Sequence, residues 1–149
     1  MRIENGDDWI NIEFDCYANE YGFIPANLKD VQNSVSIEFD FYVQGVGWGE
    51  VEGEHFFTKD ILALFKGFAS VRSKENIRFS YSGEFSCGSS YDQPFYVFLV
   101  DRQGDVITFT LKIHDCLMDY IQVTERMTLS RFEEIVDEFH NAAKHFPVI

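Results

Sequence analysis

The chain is poor in bases. Twelve Lys and Arg stand against 25 Asp and Glu, a formal net charge of −13. So negative a surface repels phosphates, which argues against a nucleic acid or an anionic membrane as partner and invites a basic protein instead. Cysteine is scarce as well. Cys16, Cys87 and Cys116 make an odd number with no CxxC pair. A disulfide scaffold or zinc ribbon is therefore not expected, and a reducing cytoplasm is the simplest home. No run of about eighteen apolar residues is present, so no membrane span is expected. The acidic opening MRIENGDDWINIEFD lacks the basic region and apolar stretch of a secretory signal. No Pro/Gly/Ser-rich linker divides the chain, and 149 residues read as a single domain, 1–149, long enough to bury a core.

What is present is apolar and patterned. The hydrophobic share is 46% and the aromatic share 17%, with sixteen Phe, which suits a well-packed globular domain. A near-repeat, IEFDCY at 12–17 and IEFDFY at 37–42, alternates with the period of a half-buried strand. Ile12, Phe14 and Cys16 fall on one side of the first copy, with Glu13, Asp15 and Tyr17 on the other. Ile37, Phe39 and Phe41 likewise oppose Glu38, Asp40 and Tyr42 in the second copy. Residues 9–18 and 34–44 are the corresponding strands, with a loop between them around Pro25. Residues 46–56, with glycines at 47, 49 and 53 and alternating Glu50, Glu52 and Glu54, read as a third strand, twisted or bulged.

Thr58 then caps a helix whose stripe is Ile61, Leu64, Phe65, Phe68 and Val71, with Asp60 in its positive first turn. Four more strands follow at 76–82, 94–100, 105–113 and 116–124, with DRQGD at 101–105 as a hairpin turn. A closing helix begins near Thr128 or Ser130, the latter at capping-box spacing from Glu133. It carries Phe132, Ile135, Val136, Phe139 and Ala143 on one face and stops before Pro147. This order predicts an α+β fold: one curved, mainly antiparallel sheet of six to seven strands with two helices packed on one face. The other face is left to solvent, and the Glu-Asp-Tyr triplets lie there.

The acidity is concentrated. Residues 1–57 hold twelve acids against only Arg2 and Lys29, a net of −10. An acidic strand face is most simply a solvated one. Against that, like charges directly opposite on paired strands destabilise by roughly 0.2–1 kcal/mol a pair. If 9–18 and 34–44 are neighbours, Glu13 and Asp15 crowd Glu38 and Asp40, which nothing in folding requires. A metal site would need carboxylates converging on one point, whereas these spread along strands with no DxDxDG loop, so no metal ligands are assigned. Rows of carboxylates interleaved with Tyr17, Tyr42 and Trp48 suit a docking surface for a basic protein, with steering from the acids and anchoring from the rings. The candidate partner-binding set is therefore Glu13, Asp15, Tyr17, Glu38, Asp40, Tyr42, Trp48, Glu50, Glu52 and Glu54.

Catalytic readings have less to stand on. Cys87 in SCGSSYD and His114-Asp115 at a strand end sketch a Cys/His/Asp hydrolase or a small ligand-binding site, without a nucleophile elbow or a helix after Cys87 to lower its pKa. His140 and His145 are five apart, not at HExxH spacing. GVGWGE lacks the third glycine and the following helix of a dinucleotide fingerprint. No catalytic residue and no cofactor are assigned.

From DDWINIEFDCYA onward the layout resembles the WapI-type immunity proteins of bacterial contact-dependent toxin systems. The resemblance is carried by Trp9 leading an alternating strand (Trp9-Ile10-Asn11-Ile12) and by the helix segment Asp60-Ile61-Leu62-Ala63-Leu64-Phe65. It continues in a closing helix that opens with Leu129 and Phe132 and ends near Phe146-Pro147. It implies a cytoplasmic non-enzyme that binds and blocks the C-terminal domain of a cognate toxin, often a nuclease, without a cofactor.

Overall fold

The computed structural model describes residues 1–17, 34–84, 95–115 and 118–148; for 16–17, 51–55, 115 and 118–119 it describes the backbone only. The expected α+β architecture of antiparallel strands and two helices holds. The strands, however, divide into two four-stranded sheets rather than running on as one. The first sheet is a meander of β1 (Arg2–Asn5), β2 (Asp8–Tyr17), β3 (Ser34–Val43) and β4 (Gly47–Phe57). Helix α1 (Thr58–Ser73) leads to a second meander of β5 (Asn76–Glu84), β6 (Phe95–Gln103), β7 (Val106–Asp115) and β8 (Met118–Thr128), and α2 (Leu129–His145) follows. Among the described residues the order is thus four strands and a helix, twice.

Local chemistry explains the turns. Asn5-Gly6 closes the β1–β2 hairpin with Gly6 at φ 60°, and Gly104 at φ 62° closes the β6–β7 hairpin expected at DRQGD. Thr128, not Ser130, caps α2: its Oγ1 accepts from the Arg131 N–H at 3.2 Å. Thr58 does not cap α1. The N-cap is Phe57, which makes no side-chain cap bond, and Thr58 is the buried first helical residue. At the other end of α1 a buried arginine does the capping. Arg102 donates from Nη1 to the carbonyls of Val71 (3.0 Å) and Arg72 (2.6 Å), and from Nε to that of Gly104 (2.7 Å). A cation on the last carbonyls is favoured by the helix dipole.

One hydrophobic cluster joins both sheets and both helices. Phe68 of α1 is its hub, with ring centroids 5.1–6.0 Å from Phe79, Phe98, Phe109, Phe132 and Phe139, mostly edge to face. The first sheet enters through Phe14, 5.3 Å from Phe139, and Phe56, 4.7 Å from Tyr96. Helix α1 lies so close to β5 that a Cβ on Gly67 would stand 1.9 Å from the Phe79 ring, so only glycine allows the approach. The buried Asp60 accepts a hydrogen bond from the Tyr81 hydroxyl. Burial first, and then Asp60, push the phenols of Tyr81 and Tyr96 well above the ordinary tyrosine range. The sheets meet where β1 faces β8: the Glu4 N–H donates to Glu125 Oε1 (2.9 Å), and the Arg131 guanidinium ties Glu125 (3.2 Å) to the Arg2 carbonyl.

Candidate acidic and aromatic face

In the first sheet Ile10, Ile12, Ile37, Phe39 and Phe41 turn into the core, which commits the alternate residues to the outside. Antiparallel register then arranges these in rows across strands. Glu4, Trp9, Tyr42 and Trp48 form one row, with Arg2, Asn11, Asp40 and Glu50 beside it. Glu13 stands directly opposite Glu38. The two hexapeptide strands are therefore neighbours, and two like-charged pairs, Glu13–Glu38 and Asp40–Glu50, sit face to face at a cost of roughly 0.2–1 kcal/mol each.

Partial relief comes from Asn11, whose side-chain amide donates to Asp40 Oδ1 at 3.1 Å and Glu13 Oε1 at 3.3 Å. Among the described residues, Glu4, Glu13, Glu38, Asp40 and Glu50 share the face with a single base, Arg2. That base is already engaged. Its guanidinium lies 4.5 Å from the Trp9 ring centroid, and its Nε is 3.2 Å from Glu4. Trp48 is 66% exposed and Tyr42 36%.

The expected set is thus brought together in part. Glu13, Glu38, Asp40, Tyr42, Trp48 and Glu50 share one face, though Asp40 opposes Asn11 rather than Asp15. Asp15 is exposed but falls in a register shift between Phe14 and Tyr17. That shift opposes Tyr17 to the core residue Val35, so the alternation from Glu13 does not run unbroken to position 17. A second shift, between Ile37 and Phe39, pairs Glu54 with Ile37 and breaks the alternation of Glu50, Glu52 and Glu54. The side chains of Cys16, Tyr17, Glu52 and Glu54 lie outside the described residues. Trp9 and Asn11 belong to the face and were missing from the expected set. The signal was available: they stand four and two residues before Glu13, on its side of the alternation.

The alternative region falls mostly outside the described residues, since Cys87 lies in 85–94 and only the backbone of Asp115 is described. His114 itself is part of an aromatic ladder on the outer face of the second sheet. It stacks 4.3 Å from Phe95 and 5.1 Å from Tyr120, over which Lys112 Nζ stands at 4.4 Å. His140 stacks on Phe65 at 4.7 Å, between the helices. Among the described residues no three His, Cys, Asp or Glu side chains are grouped to hold a metal ion, and no helix is long and apolar enough to cross a membrane.

These elements define the class of fold, two antiparallel meanders about a helix pair. No protein-family model and no curated protein matches the chain. Among solved structures it is similar to WHY1 from Arabidopsis thaliana, at 12% identity and a TM-score of 0.50 over 98% of this chain and 88% of that one. It is also similar to WHY3 from the same plant, at 13% identity and a TM-score of 0.49 over 98% and 86%. At such identity the WHY1 likeness shows a common fold and nothing further, and the WHY3 likeness adds no argument.

Proposed function

We propose that this protein is an immunity protein: a non-catalytic antitoxin that neutralises a cognate toxin domain by docking that domain's basic surface on the outer face of the first sheet, without a cofactor, in the bacterial cytoplasm. The observation that carries the proposal is the register. It sets Glu13 against Glu38 and Asp40 against Glu50 on a solvent face, beside a row of exposed aromatics. The fold gains nothing from those oppositions, whereas a cationic partner would relieve them on binding. A nuclease must be basic where it holds phosphate, so rows of carboxylates compete directly for that surface. The rings between them supply the desolvated anchors from which specific pairing is made.

The test is kinetic. The partner is to be sought in the reading frame immediately upstream, where the proposal expects a large secreted protein whose C-terminal domain is the cognate toxin. Its association with this protein is expected to slow steeply with salt. Reversing charge together at Glu13, Asp15, Glu38 and Asp40 (each to Lys) should slow association at least about tenfold while the circular dichroism spectrum stays unchanged. An unchanged association rate in a folded quadruple variant would overturn the acidic-face reading.

A further inference from the structure

We propose that Tyr42, Trp48, Asp40 and Glu50 form a subsite for an arginine side chain borne by the partner protein. The inference rests on the docking reading above and sharpens it to one kind of residue. The sheet carries its own worked example. On the β1–β2 side a guanidinium, that of Arg2, lies over the Trp9 ring at 4.5 Å with a carboxylate, Glu4, at 3.2 Å from Nε. On the β3–β4 side the same two rows continue into the same chemistry. The aromatic row runs from Trp9 through Tyr42 to Trp48, and the polar row from Asn11 through Asp40 to Glu50.

Here the rings are open. Trp48 is 66% exposed, and among the described residues no cation lies over Tyr42 or Trp48 and none pairs with Asp40 or Glu50. Trp48 and Glu50 are two apart on one strand, so their side chains leave the same face about 7 Å apart. That spacing lets a planar cation rest on the indole and turn its edge to a carboxylate. Arginine meets both demands at once, because its guanidinium stacks flat on a ring while its N–H groups fork toward carboxylate oxygens. A lysine ammonium is a hydrated point charge that answers only the second. The subsite therefore discriminates arginine from lysine, where a merely acidic face would take either.

The chain holds two tryptophans, so its indole N–H spectrum has two signals, and Trp48 reports on the subsite by itself. The experiment titrates the full-length protein at low salt with acetylated oligoarginine and with oligolysine of equal length. The arginine peptide is expected to bind about fivefold more tightly and to move the Trp48 signal more than the Trp9 signal. Trp48→Leu, at an exposed position, should bring the arginine peptide down to the lysine level. Equal affinity for the two peptides with a still Trp48 signal would overturn the subsite and leave the acidic face standing. Binding of neither peptide would overturn both. A preference for arginine that survives Trp48→Leu would place the discrimination elsewhere and sink this assignment.

Discussion

The two sheets are alike in topology and share one core, yet their outer faces differ. On the first, Glu13 meets Glu38 and Asp40 meets Glu50 with one arginine nearby. On the second, the same strand geometry pairs Arg78 with Asp101 in a 3.0 Å salt bridge, sets Thr108 opposite Arg126, and joins the hydroxyls of Thr110 and Thr124 at 2.9 Å. The second face is what a meander with a solvated side settles into: charges opposed in sign, and threonines and rings in register. The first departs from that arrangement on the same scaffold. Since the scaffold is common, the departure is a property of the surface and calls for a reason outside folding.

The comparison can be broken at several depths. The deepest cut is Phe68→Ala, which empties the hub shared by both sheets and should cost about 3–5 kcal/mol in denaturant unfolding. Both meanders should still be lost in one transition. Two separated transitions would show that the sheets are not one cooperative unit.

Next is Tyr81→Phe, confined to the second sheet and α1, which takes a donor from the buried Asp60 and should cost about 1–3 kcal/mol. The same tyrosines set an alkaline limit. Their folded pKa is raised above the unfolded value, so the stabilisation is complete below about pH 10 and is lost as pH rises beyond it, while the unfolded chain ionises and the folded one resists. A flat stability profile between about pH 9 and 11 would contradict that.

The smallest effect is the most pointed. Glu38→Gln should stabilise by about 0.2–1 kcal/mol, because it relieves Glu13. Asp101→Asn on the second sheet, which breaks an exposed ion pair, should be neutral or slightly destabilising. If both neutralisations shift stability in the same direction, the contrast between the faces has no energetic content.

Much of this was readable in the chain, and the failures have causes. The strands and helices followed from alternation and from the stripes at 61–71 and 132–143, with ends within a few residues. Strand β1 escaped because four residues, Arg2–Asn5, are too few to show a period, though the Asn5-Gly6 turn beside them is a hairpin signal. The division into two sheets is not written locally, since it depends on which strand finds which partner after α1 intervenes. The face itself was legible where alternation is regular and illegible at the shift before Tyr17, where no glycine or proline marks the bulge. In β4 the glycine at 53 did announce irregularity, and the register shifts there, between Val51 and Glu54, while it runs regularly through Gly49. Gly49 has a different reason, that a Cβ would stand 2.4 Å from the Phe41 ring.

Every strand in both sheets pairs with its neighbour in the chain, and this has a consequence in time. During synthesis the first meander is complete at Phe57, before α1 and α2 are made to pack with Ile10, Ile12, Phe39 and Phe41 in the core. A half-made molecule with that apolar side uncovered is the kind of species that clumps on the ribosome's doorstep. Helix α1 begins at Thr58, the very next residue, so the first cover for that apolar side is made as soon as the meander ends.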